Sequence, residues 1–336
     1  MLSIGTILQL IGLTSVVLTA YRILSNVSLW LPINTTLKRY NREPRAWALV
    51  TGASAGIGRG LAEELAAKGF NVILSGHKRD ELEEARDSIV AKFPGAGVKI
   101  LVLDAVHASP AEIETALVSV SDLQITVLVN NVGGMQMIGA PRFRRLDEYS
   151  AEDLDGVVFL SARFMAHVTR LMIPLLAKNG PSLIINVSSG ARMGMPGVAA
   201  YSATKGFVTS LTNAVAREMK ADKLPIDVLG IVPGDVESQS NNGGLQPGSP
   251  SSRQFAKAVM DQAGRAASRG YLELCPWPFH VMQIALFDSL PEWIRQKLVI
   301  DVFEKEEGCR WFEERLKGWV LREQIFGTPD RLPGAC

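Results

Sequence analysis

The sequence predicts a doubly wound α/β fold, in which helices cover both faces of a parallel sheet, with an apolar helix before it and a helical extension after it. Three observations predict this arrangement: short apolar runs alternate with helical patterns, a glycine-rich turn follows the first run, and residues 2–24 carry a single charge. Strands that are apolar throughout are typical of a parallel sheet covered on both sides. Apolar residues make up 47% of the 336 residues, so the chain can bury a large core.

The first 40 residues are predicted to form a membrane anchor and a basic juxtamembrane segment. Arg22 is the only charged residue in 2–24, and a helix of that length spans roughly 34 Å, against about 30 Å for a bilayer core. Basic residues follow at Lys38, Arg39, Arg42 and Arg45. Positive charge on this side places the bulk of the chain in the cytosol. A cleaved signal peptide would carry its charge before the apolar run, so a buried or interfacial helix is the main alternative to an uncleaved anchor.

Six apolar runs are the predicted strands of the sheet. They cover residues 46–51, 71–76, 98–105, 125–131, 182–189 and 226–234. Helical patterns between them cover 58–70, 79–93, 110–120, a long region ending near Lys178, and 199–221. Residues 41–270 are therefore assigned to one domain, with ligands expected beyond the carboxyl ends of its strands. The Gly-, Ser- and Pro-rich stretch 238–253 is interpreted as a mobile lid or as disordered decoration.

Residues 271–336 are predicted to form a helical extension that is rich in tryptophan. It contains Trp277, Trp293, Trp311 and Trp319. Charged residues interrupt its apolar run too often for a membrane span. Core packing is one interpretation, and a substrate tunnel wall or a flap lying on a membrane is the other.

Composition and motif spacing argue against nucleic acid and metal as ligands. The 35 basic and 34 acidic residues nearly cancel, so there is no electrostatic reason to expect nucleic acid. No CxxC pair occurs among the three cysteines, which are Cys275, Cys309 and Cys336. Three histidines have no ligand spacing and are interpreted as structural: His107, His167 and His280. We therefore expect no metal site.

The stretch "TGASAGIG", residues 51–58, joins the first strand to the first helix. Gly52 allows a tight turn, while Gly56 and Gly58 let the backbone approach a pyrophosphate at the helix N-terminus. In this context the pattern predicts a bound dinucleotide. An acidic residue at the end of the second strand would favour NAD, but the sequence there is "SGHKRDEL". The basic group His77, Lys78 and Arg79 favours NADP, and a solvated helix start is the alternative.

Tyr201 and Lys205, in "YSATKG", are four residues apart and share one face of a predicted helix. A free phenol has a pKa near 10 and is a weak acid at neutral pH. A neighbouring ammonium group favours the phenolate and lowers that pKa. The pair alone could be an ordinary surface contact, but beside a cofactor turn it indicates an acid and its supporting charge.

Four motifs in this order resemble those of the short-chain dehydrogenase/reductase family over roughly residues 46–240. They are "TGASAGIG", "NNVG" at 130–133, "SS" with "YSATK", and "PGDVES" at 233–238. The resemblance implies a Rossmann-type sheet, NADP(H), Tyr201 as the catalytic acid, Lys205 as its partner and a serine that polarises the substrate carbonyl. The cofactor contacts that it implies are Gly52, Ser54, Gly56, Ile57, Gly58, His77, Lys78, Asp104, Asn131, Tyr201, Lys205, Val236 and Ser238.

Two features of the catalytic set stay open in the sequence. Alignment on the end of the fifth strand favours Ser189 as the catalytic serine, because strand register fixes side-chain direction, whereas the family's commoner spacing to the tyrosine selects Ser188. The family usually has an asparagine on the long helix that follows the fourth strand. Counting back from Pro174 places Ser161 there, a departure that would alter the family's proton relay. Ser238 replaces a frequent threonine, a mild change.

The anchor and the motifs together are most similar to the membrane-bound branch of very-long-chain 3-oxoacyl-CoA reductases and 17β-hydroxysteroid dehydrogenases. This implies NADPH-dependent reduction of a hydrophobic ketone, a 3-oxoacyl-CoA of fatty-acid elongation or a steroid ketone, at the endoplasmic reticulum membrane with the catalytic domain in the cytosol. A ketoreductase of secondary metabolism and a catalytically silent NADP-binding protein are the alternatives. The sequence leaves open whether the protein forms a homodimer.

Overall fold

The computed structural model describes residues 3–30, 37–42, 45–134, 143–239, 241 and 245–307. Its centre is a parallel sheet with the strand order β3-β2-β1-β4-β5-β6-β7. The strands are β1 Trp47–Thr51, β2 Asn71–Gly76, β3 Val98–Val102, β4 Ile125–Asn130, β5 Ser182–Val187, β6 Ile226–Ile231 and β7 Glu273–Leu274. The order reverses between β1 and β4, which creates a crevice at the carboxyl ends of these two strands.

The six predicted strands are confirmed, but three of them end two or three residues earlier than expected. β3, β5 and β6 stop at Val102, Val187 and Ile231, where the chain leaves the sheet to form the loops of the candidate site. The sequence did not reveal β7, because a two-residue strand has no apolar run of its own. β7 pairs with the end of β6, with Gly230 opposite Glu273.

The helices of the described residues are α1 Ile4–Val27, α2 Gly56–Ala67, α3 Arg79–Lys92, α4 Pro110–Val118, α5 Ala151–Val158, α6 Phe164–Asn179, α7 Ala199–Ala221, α8 Ser252–Ser268, α9 Pro278–Ser289 and α10 Glu292–Glu307. Helices α2, α3 and α8 lie on one face of the sheet and α4, α6 and α7 on the other, as predicted. Successive strand residues point to opposite faces. Val50 therefore packs in one core with α2, α3 and α8, while Leu49 packs in the other with α4, α6 and α7.

The long helical region after β4 contains an irregular turn. Residues Phe159–Arg163 form a π-helical turn that joins α5 to α6. π-turns inside α-helices are rare and occur frequently at functional sites. By length and composition, residues 151–179 could cross a membrane, but 56% of that stretch is buried inside the protein. It is therefore a core helix.

The N-terminal helix α1 is long and apolar enough to cross a membrane, and none of its span 4–21 is buried. Its end is attached to the α/β domain. Arg269 donates from Nη1 to the hydroxyl of Ser28 at 2.6 Å, and Arg265 donates to the carbonyl oxygen of Leu29 at 3.3 Å. Ser25 also hydrogen-bonds the hydroxyl of Tyr271. The helix is thus fixed to α8 and to the segment that follows it.

The segment that follows α1 enters the core. Tyr40 is fully buried, and its hydroxyl donates to Asp227 Oδ2 at 2.6 Å. Thr126, near the start of β4, donates to the carbonyl oxygen of Tyr40 at 2.6 Å. Burial and the Asp227 carboxylate raise the pKa of Tyr40. Leu37 is buried in the same cluster. The division of the chain at residue 40 stays a prediction, since core contacts begin before it.

Core packing is the wrong interpretation for α9. Within its bounds, His280 is buried, whereas Met282 and Leu286 are exposed by 59% and 63%. On α10, Trp293 is exposed by 70%. Trp277 is partly buried and donates from Nε1 to the carbonyl oxygen of Gly248 at 2.9 Å. Trp311, Trp319, Cys309 and Cys336 lie outside the described residues.

Candidate active site

The carboxyl edge of the sheet carries every residue predicted for the cofactor site. At the first turn, a Cβ on Gly58 would overlap the carbonyl oxygen of Gly52 and the side-chain nitrogen of Asn131. Gly52 itself has a positive φ of 63°. The turn is therefore compact because it has no side chains there, which leaves the N-terminus of α2 accessible to an anion. Ile57 lies in the first turn of α2, packed against the core.

Asn131 holds this turn from the neighbouring strand. Its Nδ2 donates to the carbonyl oxygens of Thr51 and Gly52, both at 3.2 Å, and its backbone N–H donates to Thr51 Oγ1 at 3.0 Å. The side chain that the sequence assigned to the cofactor crevice thus also joins the ends of β1 and β4. A dinucleotide in the crevice would lie on a preorganised backbone.

The basic group after β2 is exposed and paired with acidic residues of α3. The Lys78 ammonium lies 2.8 Å from Glu81, and Arg79 lies 3.7 Å from Glu83. The hydrogen bond from Lys78 lowers the pKa of Glu81, opposed by partial burial and aided by the Ser54 hydroxyl. His77 is exposed beside them. A 2′-phosphate bound here would have to share Lys78 with Glu81, which the sequence did not anticipate.

Asp104 follows β3 and organises the turn after it. Its Oδ1 accepts the backbone N–H of Val106 at 2.8 Å, and its Oδ2 lies 3.1 Å from His107 Nδ1. Burial raises the pKa of Asp104, but these hydrogen bonds outweigh it and lower the pKa overall. The carboxylate stays half accessible, so it can fix the turn and still face a ligand.

Helix α7 carries Tyr201 and Lys205, and the lysine is buried. Its Nζ donates to the carbonyl oxygen of Val187, the last residue of β5, at 2.9 Å. The same Nζ lies 5.6 Å from the centre of the Tyr201 ring. Burial lowers the pKa of Lys205 to about 8. The predicted pair is thus brought together, with the charge held between the end of a central strand and the phenol.

Ser188 and Ser189 both lie beyond β5, so strand register does not decide between them. The hydroxyl of Ser188 is buried and directed at α7, where it donates to the carbonyl oxygen of Lys205 at 3.1 Å and lies 3.0 Å from Thr209 Oγ1. Ser189 begins the short turn Gly190–Met193, and its Oγ accepts the N–H of Ala191 at 3.1 Å. Its hydroxyl proton remains available, since this contact uses only an acceptor position.

Ser161 lies in the π-turn and is buried to 1% exposure. Its Oγ has no hydrogen-bond partner among the described residues. A Cβ on Gly133 would lie 3.3 Å from both Ser161 Oγ and Lys205 Nζ. The hydroxyl and the ammonium therefore border the same small space. Buried hydroxyls are nearly always hydrogen-bonded, so this group is placed for an additional partner.

A network of hydrogen bonds between buried polar side chains lies beneath the site. Asn130 Nδ2 donates to Asn186 Oδ1 at 2.8 Å and to Thr169 Oγ1 at 3.0 Å, and Asn186 Nδ2 donates to Thr212 Oγ1 at 2.9 Å. All four side chains are buried. These hydrogen bonds join β4 and β5 to α6 and α7. Helix α7, which carries Lys205, and helix α6, which follows the Ser161 turn, therefore have fixed positions relative to the sheet.

The loop after β6 closes the other side of the crevice. The carbonyl oxygen of Pro233 accepts the N–H of Gly190 at 2.9 Å, which ties this loop to the Ser189 turn. Val236 is buried, and a Cβ on Gly56 would lie 3.4 Å from the Cβ of Ser238. The loop therefore runs from the serine turn to the glycine turn, along the path that a dinucleotide would take.

Comparison with known proteins identifies the family. The family described as short chain dehydrogenase matches residues 46–246. The chain belongs to the short-chain dehydrogenase family. It is 28% identical to the very-long-chain 3-oxoacyl-CoA reductase let-767 of Caenorhabditis briggsae over 297 residues, which are 87% of this chain and 91% of the relative.

One further relative and one solved structure are also similar to this dehydrogenase. It is 27% identical to the very-long-chain 3-oxoacyl-CoA reductase of Pyricularia oryzae over 250 residues, 74% of this chain and 73% of the relative. A solved short-chain dehydrogenase from Sphingobium yanoikuyae, in complex with NADPH, has a TM-score of 0.59 at 21% identity and covers 74% of this chain and 97% of that chain. The protein is an oxidoreductase of the ketoreductase type, and its fold supports a nicotinamide cofactor.

The sequence interpretation of this dehydrogenase missed the π-turn around Ser161, which has no sequence pattern that separates it from an ordinary helix. The interpretation of His280 as structural is confirmed, since its ring is buried and Nδ1 accepts the N–H of Gly234, in the loop after β6, at 3.2 Å. Which loop this histidine contacts becomes visible only after α9 has been placed.

The buried ammonium predicts a pH dependence of stability. Because the pKa of Lys205 is about 8 in the folded dehydrogenase and near 10.4 when unfolded, the unfolded state binds more protons between these values. The free energy of unfolding should therefore rise with pH across this window, by about 3 kcal/mol for this one group.

The measurement is denaturant unfolding of the detergent-solubilised chain at several pH values, compared with Lys205→Met. Subtracting the variant isolates Lys205 from the other groups that titrate above pH 8. Parallel curves for the two proteins would contradict the lowered pKa.

Proposed function

We propose that this dehydrogenase uses NADPH to reduce a hydrophobic ketone, with a 3-oxoacyl-CoA of fatty-acid elongation as the best-supported substrate. The observation that carries the proposal is the buried Lys205 ammonium beside the Tyr201 ring, next to a glycine turn shaped for a pyrophosphate. The named activity of the relatives from Caenorhabditis briggsae and Pyricularia oryzae supports the substrate class.

The residues present fit a nicotinamide dinucleotide. Gly52, Gly56 and Gly58 would hold the pyrophosphate at the N-terminus of α2, and the loop at Val236 and Ser238 would cover it. No acidic residue ends β2, and Lys78 and His77 are within the segment that would meet a 2′-phosphate, which favours NADPH over NADH. When bound, the reduced nicotinamide supplies a hydride to the carbonyl carbon of the substrate.

Three side chains of the dehydrogenase polarise and protonate the carbonyl oxygen of the substrate. Ser189 donates a hydrogen bond that polarises the carbonyl, and Tyr201 gives its phenolic proton to the oxygen as negative charge develops. The Lys205 ammonium, held by the Val187 carbonyl, stabilises the phenolate that remains. Since Lys205 loses its proton near pH 8, this support weakens at higher pH.

Ser161 replaces the family's asparagine at the inner end of the site. Its unpartnered hydroxyl borders the space beside the Lys205 ammonium. We propose that Ser161 holds a water molecule, and that a proton returns through this water to Lys205 and Tyr201. A serine side chain is shorter than an asparagine side chain, so the water would have to bridge a longer gap than in relatives with asparagine.

The choice of serine can be tested by a matched pair of variants. Ser189→Ala should lower kcat by about 10²-fold, because one donor to the developing oxyanion is lost. Ser188→Ala should lower stability by about 1 kcal/mol, since it removes hydrogen bonds to Lys205 and Thr209, and should change kcat far less. Steady-state kinetics and denaturant unfolding of both variants provide the measurement. The reverse pattern would assign the role to Ser188.

The activity itself is tested with the full-length dehydrogenase in lipid nanodiscs. We expect NADPH to be oxidised faster than NADH in the presence of long-chain 3-oxoacyl-CoA, and Tyr201→Phe to lose at least about 10²-fold in kcat because the proton donor is gone. Short-chain 3-oxoacyl-CoA and steroid ketones form the comparison panel. Failure to oxidise NADPH with any long-chain substrate, together with activity on a steroid ketone, would reassign the substrate.

We also propose that α1 anchors the protein in the endoplasmic reticulum membrane with the catalytic domain in the cytosol. The span 4–21 is apolar and wholly exposed, and basic residues follow it. Leu29, beyond its end, lines a cavity together with Val281 and Ile284 of α9. Helix α9 therefore lies beside the point where the anchor enters the domain. Its exposed apolar residues Met282 and Leu286 are available to a bilayer surface there.

The anchor predicts that the full chain stays with membranes through alkaline carbonate extraction. It also predicts that protease added to the cytosolic side of intact vesicles degrades the catalytic domain. A variant with three leucines of α1 replaced by aspartate, Leu10, Leu13 and Leu18, should be released, because charges in the bilayer core are costly. Release of the unmodified chain by carbonate would contradict the proposal.

A further inference from the structure

His280 is the one buried residue of α9, whose other residues are partly buried or exposed. The ring is 1% exposed, and it packs against Gly234 so closely that a Cβ there would lie 2.7 Å from the imidazole carbon Cδ2. On its other side lies Phe255 of α8, with ring centres 6.2 Å apart. The imidazole therefore fills a site between α8, α9 and the loop after β6.

Both ring nitrogens are engaged by the backbone of that loop. Nδ1 accepts the N–H of Gly234 at 3.2 Å, and Nε2 lies 3.0 Å from the carbonyl oxygen of Asp235. The neutral tautomer with its proton on Nε2 satisfies both contacts at once. A proton on Nδ1 would instead place two N–H groups against each other. Burial lowers the pKa of His280, opposed by the hydrogen bond and charge of Asp235, and this favours the neutral form.

The Gly234 N–H and the Pro233 carbonyl belong to one peptide group. The carbonyl end accepts the N–H of Gly190, next to Ser189, at 2.9 Å, while the amide end donates to His280. This peptide plane is thus held at both ends, by the serine turn and by α9. Glycine tolerates rotation about its backbone bonds more readily than other residues, so releasing either end would let the plane turn.

The part of the loop beyond this peptide is organised by Asp235. Its carboxylate accepts hydrogen bonds from the side chain of Asn241 at 2.6 Å, the N–H of Gln246 at 2.7 Å and the hydroxyl of Ser249 at 3.0 Å. His280 holds the carbonyl oxygen of the same residue. The imidazole therefore fixes the point at which the loop leaves the serine turn and begins its path over the cofactor turn.

We propose that His280 is a positioning residue, which from α9 fixes the Pro233–Gly234 peptide and through it the Ser189 turn and the cofactor loop. The proposal rests on the proposed function for its kinetic consequences, but its structural consequences do not need a substrate. Asp235 is the charged group that faces the ring from the loop, and Phe255, which packs on it from α8, carries no charge.

Two variants separate the hydrogen bonds of His280 from its volume. His280→Leu fills the space without either hydrogen bond, and His280→Asn restores an acceptor at the position of Nδ1. His167→Asn on α6 is the matched control, since this histidine lies away from the loop. The readouts are hydrogen exchange of peptides covering 188–192 and 233–239 in the cofactor-free protein, the Kd of NADPH, and kcat as a function of pH.

With His280→Leu we expect faster exchange in both peptides and a kcat lowered about 10- to 100-fold, the size of a small misplacement of reacting groups. His280→Asn should restore slow exchange at 188–192 and keep kcat within about fivefold of the parent. The parent should lose kcat on the acid side as Nδ1 gains a proton, and His280→Asn should lack that step.

Several outcomes overturn the proposal. If hydrogen exchange at 188–192 is unchanged in His280→Leu, the histidine is a packing residue only. The same conclusion follows if His280→Leu is less stable but has a normal kcat. An acid-side step that persists in His280→Asn would assign it to another group. If His280→Leu does not fold, the exchange and pH profile of His280→Asn decide alone. If the parent reduces none of the ketones, the proposed function fails, while the exchange data still test His280.

Discussion

The hydrogen bond from the Lys205 ammonium to the Val187 carbonyl is the contact on which the rest of the site depends. It joins helix α7 to the last residue of a central strand, at the point where the chain turns towards Ser189. An ammonium without water needs an acceptor, and a strand end supplies a carbonyl oxygen that no ladder partner uses. The position of Tyr201 beside that charge follows from the geometry of one helical turn.

The supports of this contact come from three directions. Below it, the buried chain of Asn130, Asn186, Thr169 and Thr212 fixes both helices on the sheet. Beside it, the Ser161 hydroxyl of the π-turn and the ammonium border the same space next to Gly133. Above it, the loop after β6 holds the serine turn through a single peptide group. The polar interior is thus concentrated under the reacting groups, where a fixed orientation is most useful.

Patterns that act within a few residues could be predicted from the sequence. The apolar strands, the glycine turn and the Tyr201–Lys205 spacing each depend on local geometry, and the structure has them at the expected places. Contacts between distant segments could not be predicted. The direction of the Ser188 hydroxyl depends on Thr209, and the contacts of His280 depend on where α9 lies. In each case the deciding partner is on another element or another turn.

The predicted strand boundaries were least accurate at the carboxyl ends of the strands, where the chain leaves the sheet to form the site. β5 and β6 were expected to continue to 189 and 234, because Val, Ser and Pro do not by themselves end an extended run. In the folded protein these last residues leave the sheet at Val187 and Ile231 and form the site. A strand that seems too long in the sequence can therefore indicate a loop with a function at its carboxyl end.

The burial of Tyr40 has a practical consequence for making a soluble form of the protein. A chain cut at residue 41 would lose Leu29, Leu37 and Tyr40 from one core cluster, together with the hydrogen bonds that they make to Asp227, Thr126 and Arg265. Removing a fully buried aromatic side chain alone costs about 3–5 kcal/mol, a large part of the stability of a typical domain. The segment between α1 and β1 is therefore also a part of the enzyme's interior.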